Sequence, residues 1–82
     1  MEYIALFATT LEAVKYRRKL EKLNIAAEAI PVPRELSNSC GIAIVFSLSQ
    51  NPAPIVDQSV RKLYRKEEAH YILVLQNEES HN

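Results

Sequence analysis

The sequence predicts a small α+β domain, a four-stranded antiparallel sheet with two helices on one face, and three observations carry that reading. Short apolar runs recur at residues 3–8, 42–48 and 70–75, the length of buried strands. Two longer stretches between them place their apolar residues at helical spacing. The composition fits one packed domain, since the 82 residues are 48% hydrophobic and 24% charged, well outside the disordered range.

Residues 3–8 are apolar and partly aromatic, which suits a strand buried on both faces. Thr9 has Glu12 three residues on, the spacing of a capping box, and Thr10 is a second candidate cap. Ala13, Tyr16, Leu20 and Leu23 then share one helical face, opposite Lys15, Arg18, Lys19 and Lys22, so helix one is expected to run to about Asn24. Residues 25–32 read as strand two. Pro31 and Pro33 lack ladder donors, which restricts it to a sheet edge and discourages edge-to-edge pairing.

Residues 34–41 form a polar loop closing on Cys40 and the only glycine, Gly41, whose expected use is a close approach or a positive φ. Strand three follows at residues 42–48, with Ile42, Ile44, Phe46 and Leu48 on one face. Asn51 and Pro52 supply the cap and first-position signals of helix two, with Val56, Val60, Leu63 and Tyr64 as its core stripe. Glu67 and Glu68 follow its end, residues 70–75 make strand four, and residues 77–82 are a polar tail expected to fray. The order βαββαβ matches the ferredoxin-like arrangement, one domain over residues 1–76 with sheet order 4-1-3-2.

Charge and cysteine usage narrow the function. Ten basic residues balance ten acidic ones, so no global field draws nucleic acid or an anionic membrane. Strand three also lacks the basic, glycine and paired aromatic pattern of an RNA-binding sheet. The apolar start is too short and too acidic for a signal peptide, and no run approaches a membrane span. The expected location is therefore the reducing cytoplasm, where the single cysteine stays a free thiol. One cysteine and the distant His70 and His81 meet no metal-ligand spacing, and neither a cofactor nor a Ser/His/Asp triad is legible.

Two basic rows, Arg17, Arg18, Lys19 and Lys22 on helix one and Arg61, Lys62, Arg65 and Lys66 on helix two, complement the helix dipoles. Docking of an acidic protein is the alternative. Strands one, three and four are apolar on both faces, whereas two helices cover only one side. A homo-oligomer through the open sheet face is therefore expected.

The run 30–43, Ile-Pro-Val-Pro-Arg-Glu-Leu-Ser-Asn-Ser-Cys-Gly-Ile-Ala, resembles the signature of a family of small bacterial domains described as putative selenium/sulfur carrier protein-like. That family similarly opens with a strand, a Thr-led helix and the Ile-Pro-Val-Pro-Arg segment. The resemblance extends over about residues 2–75, and its specific part is 30–43. It implies a carrier rather than an enzyme, in which Cys40 holds a persulfide or selenopersulfide passed between donor and acceptor proteins.

A carrier thiol must be accessible and partly ionised, because the thiolate is the nucleophile. Arg34, at the other end of the loop, is the nearest candidate cation in sequence, and the backbone N–H groups from Ser39 to Gly41 are a candidate anion nest. Pro33, Ser39 and Gly41 are read as shaping the loop. Ser37, Asn38 and Ser39 are ordinary turn formers rather than nucleophiles. The competing readings are that Cys40 is a small buried hydrophobe, that Arg34 only solvates the loop or pairs with Glu35, and that the chain is a binding or oligomerisation module acting through its sheet. The expected sheet order also brings the tail bearing His81 toward Cys40.

Overall fold

The computed structural model describes residues 1–36 and 41–77. Its elements are β1 (Glu2–Phe7), α1 (Thr10–Lys22), β2 (Ala27–Pro31), a 3₁₀ turn (Arg34–Leu36), β3 (Ile42–Ser47), a second 3₁₀ turn (Ala53–Ile55), β4 (Val60–Glu67) and β5 (His70–Gln76). The five strands form one sheet in the order β2-β3-β1-β4-β5, with every neighbouring pair antiparallel. β1 is its central strand, and all its residues from Tyr3 to Phe7 are buried, as its continuous apolar run predicts.

The helix forms where the local signals place it. Thr9, in extended conformation, accepts the Glu12 N–H on its Oγ1 at 3.2 Å. At the other end Asn24 takes a positive φ of 63°, the Ile25 N–H donates to the Leu20 carbonyl at 2.9 Å, and the Asn24 N–H donates to that of Glu21 at 3.0 Å. This is a Schellman closure with Asn in place of the usual glycine. Ala13, Tyr16 and Leu20 are buried against Tyr3, Ala5, Phe7, Ile44 and Phe46, while Leu23 stays half-exposed at the helix end. β2 lies at a sheet edge, with Pro31 paired to Ile42 at its last position.

The ferredoxin-like reading is overturned: the described residues hold one α-helix and five strands, and the second helix is absent from its expected place. Asn51 Oδ1 accepts the Ala53 N–H at 3.0 Å, but the residue in the cap position is Pro52, and only a short turn follows. The turn ends after Ile55, where Val56 takes up extended backbone (φ −88°, ψ 124°). Val60 then begins β4 instead of continuing a helix.

The helical spacing of Val60 and Leu63 comes from a bulge. Phe7 stands opposite Val60 and Leu6 opposite Lys62, so Arg61 is an extra residue in the ladder. That insertion turns Val60 and Leu63, three positions apart, to the same face as Phe7 and Ala5, where both are fully buried. β4 reverses into β5 through Glu68 and Ala69, with Glu68 at a φ of 53°. The strand expected beside β1 is thus the outer member of a hairpin, and β4 takes its place. Arg61, Lys62, Arg65 and Lys66 stand on a strand, so no helix dipole accounts for them.

Each face has its own cover. α1 packs over β1, β2 and β3, and the stretch that replaces the second helix brings Ile55 and Val56 onto the same cluster. The Tyr16 hydroxyl donates to the Ile55 carbonyl at 2.8 Å and ties the two together. On the second face Ile4, Leu6 and Ala43 are buried beneath Leu36, with Ile30, Val32, Val45, Tyr64 and Tyr71 packed around them. Much of the face expected to be open is therefore closed within one chain.

Candidate functional site

The segment 30–43 folds as the β2–β3 connection. The ladder runs from Ala27 opposite Phe46 to Pro31 opposite Ile42. One further bond, from the Val32 N–H to the Gly41 carbonyl at 3.3 Å, draws the two ends of the loop together. Inside that closure the Pro33 carbonyl accepts the Leu36 N–H at 2.9 Å, forming the 3₁₀ turn. Pro33, with φ fixed by its ring, starts the turn from a half-buried position.

Leu36 anchors the loop. It is 7% exposed and packs with Ile4, Leu6 and Ala43 on the second face. Sequence reasoning passed over it as part of a polar loop. Its signal was an apolar side chain in that stretch, two residues beyond the arginine.

Arg34 is exposed, at the opposite end of the loop from Gly41. Among the described residues it pairs with no acid, Glu35 included. Gly41 does not have a positive φ, and a Cβ placed on it would meet nothing within 4 Å. Neither steric reason expected for a glycine applies there, and its contribution is the carbonyl that closes the loop. Cys40, Ser39, Ser37 and Asn38 lie outside the described residues, as does His81 in the tail. His70 opens β5 from an exposed position.

A second group of polar residues was not anticipated. Asp57 accepts hydrogen bonds from the Ser59 N–H at 2.9 Å and the Ser59 hydroxyl, and meets Lys19 Nζ at 3.0 Å. Burial pushes the Asp57 carboxyl up, but the Ser59 and Lys19 hydrogen bonds outweigh it and hold the carboxyl below its ordinary value. Burial and the nearby Asp57 charge push the Tyr16 hydroxyl well above the ordinary tyrosine range. These groups tie α1 to the 48–59 stretch. The Asp57–Gln58–Ser59 spacing of an Asx turn was the available clue.

On the second face a pocket of about 160 Å³ has a floor of Ile4, Ile30, Val45 and Tyr71 and a rim bearing Glu2, Glu28 and Lys66. Among the described residues no three His, Cys, Asp or Glu side chains converge to hold a metal. No helix among the described residues is long and apolar enough to cross a membrane.

A family model described as putative Se/S carrier protein-like matches residues 2–53, more than half of the chain. That span takes in β1, α1, β2, β3 and the whole loop between the last two. No curated protein and no solved structure matches the chain.

Proposed function

Since the chain belongs to the putative Se/S carrier protein-like family, we propose that it is a sulfur or selenium carrier whose acceptor is the Cys40 thiol. The observation that supports this most is that the family match encloses a loop pinned on both sides of the cysteine. Leu36 is buried before it, and Gly41, next to it in sequence, is bonded back to Val32. A carrier needs its thiol on a loop with fixed roots, so that partners meet it in one place.

The chemistry is a displacement at sulfur. The Cys40 thiolate attacks the outer sulfur of a donor persulfide, R–S–SH, forming a new S–S bond as the donor S–S bond breaks. The electron pair leaves with the donor as R–S⁻, and Cys40 carries –S–SH with its proton. Delivery repeats the step with an acceptor nucleophile, and a selenium cargo follows the same course. An ordinary thiol pKa of ~8.5 leaves about 3% thiolate at pH 7, so a nearby cation has leverage. Arg34 has no competing ion pair among the described residues and takes that role, with Pro33, Ser39 and Gly41 shaping the loop. The chain is a carrier between donor and acceptor proteins of the cytoplasm, not an enzyme.

The test is the rate of Cys40 alkylation in the folded protein against pH, with mass spectrometry before and after mixing with a cysteine desulfurase and cysteine. The expected result is rapid labelling with an apparent pKa below ~8.5, a rise in that value in Arg34→Ala, and a mass gain of one sulfur. Labelling only on unfolding would sink the carrier reading. The alternative, an interaction module, is favoured by one observation: Ile72, Leu73 and Val74 are consecutive, apolar and half-exposed on β5.

A further inference from the structure

We propose that β5 is the edge along which two copies of this chain pair, antiparallel, into one continuous sheet. The inference is independent of the carrier reading and uses a different surface from the second sheet face. Among the described residues β5 is the outermost strand beside β4, so its far side carries backbone donors and acceptors that no described strand meets. Leu63 stands opposite Leu75 and Tyr64 opposite Leu73, which makes Val74 an extra residue at a bulge. Ile72 and Leu73 point to opposite faces, and with Val74 they are 39%, 47% and 41% exposed. Apolar surface therefore flanks the open backbone on both sides.

The two edges of the sheet are built differently. β2 carries Pro31 and Glu28, and Pro33 follows it, which are devices that discourage a further strand. β5 reads His-Tyr-Ile-Leu-Val-Leu-Gln, with no proline, lysine or carboxylate, so its one guard is the bulge at Val74, which leaves Tyr71–Leu73 the regular part of the edge. A neutral apolar strand is complementary to itself: about a two-fold axis near its centre, Leu73, apolar residues meet apolar residues and no like charges oppose.

The neighbouring charges permit the pairing. Arg65, on the face of Ile72, is already satisfied by Glu67 at 2.7 Å. Lys62 and Lys66 stand on β4, and two intervening β5 strands would hold the basic rows of the copies about 14 Å apart. That exceeds the Debye length of about 8 Å at physiological ionic strength. One short strand edge buries less than a standard interface, so the association is concentration-dependent rather than obligate.

Sedimentation equilibrium of the full chain from micromolar to millimolar concentration tests this, alongside Leu73→Lys and the control Leu11→Lys, each checked for folding by circular dichroism. Leu11 is 62% exposed on the helix, away from β5. The expected result is a monomer–dimer equilibrium weakened about tenfold or more by Leu73→Lys, through opposed like charges and lost apolar contact, and unchanged in the control. Amide exchange at residues 71–75 of the unsubstituted chain should slow as concentration rises. A chain that stays monomeric at millimolar concentration would overturn the proposal. So would a dimer indifferent to Leu73→Lys, or β5 amides equally protected at every concentration, which would mean another segment occupies the edge.

Discussion

Replacing Leu36 by alanine tests how firmly the Cys40 loop is rooted. The side chain is 7% exposed among Ile4, Leu6 and Ala43, so nearly its full transfer free energy is at stake, about 1.5–3 kcal/mol. Truncation adds a cavity term, and Leu→Ala changes in cores cost about 2–5 kcal/mol. Leu36 sits on a 3₁₀ turn at the margin of the fold, where the backbone can settle inward. We therefore expect the lower part of that range, about 2–3 kcal/mol. For a domain of this size each kcal/mol moves the melting temperature by about 4–8 °C, so a fall of about 10–20 °C is expected. Far-UV circular dichroism melts of the unsubstituted chain, Leu36→Ala and the exposed-site control Leu11→Ala would measure it, with the control shifting by less than about 0.5 kcal/mol. A fall below about 3 °C for Leu36→Ala would refute the anchoring role.

Three further expectations follow from the packing. Tyr16→Phe removes the 2.8 Å bond to Ile55 and should cost about 1 kcal/mol in urea titrations at neutral pH. Because burial raises the Tyr16 pKa in the folded state, its contribution is complete below the unfolded value of about 10 and is lost as pH rises beyond it; Tyr16→Phe should flatten that alkaline decline. Asp57 has the opposite sign, its folded pKa being lowered, so its contribution holds above the unfolded value of about 3.9 and fades as pH falls through the folded one. The Lys19 and Asp57 side chains are 39% and 41% exposed, so Asp57→Asn should lose no more than about 1 kcal/mol from the pair, less in high salt, and the gap from the parent should close in acid. Glu68→Gly should stabilise by up to about 1 kcal/mol, since glycine takes the φ of 53° without Cβ strain; an unchanged or lower urea midpoint would show the turn to be otherwise held.

The first half of the fold was legible because its signals are local. Thr9 and Glu12 mark the helix start, Tyr16 and Leu20 its buried stripe, and Pro31 the edge strand. The second half was not. The bulge at Arg61 gives β4 the three-residue apolar interval of a helix, and only long-range pairing with β1 distinguishes the two. Asn51 and Pro52 read as the start of a helix, and a single 3₁₀ turn over Ala53–Ile55 stands there instead. At the candidate site the residue types Cys40 and Arg34 were readable, and so was the loop. Its rooting through Leu36 was not, because burial there depends on the second face of a strand far away in sequence.

The central place of β1 gives the residues beyond the family match a definite task. The family match stops at residue 53, short of β4, yet β1 pairs with β3 on one side and with β4 on the other. Cut down to the matched span, the sheet would end on β1, exposing the backbone of a strand apolar on both faces, an invitation to aggregate. The hairpin shields that flank and transfers the open margin outward to β5. In this chain, therefore, the residues that keep its most apolar strand from standing at a margin are ones the family match does not reach.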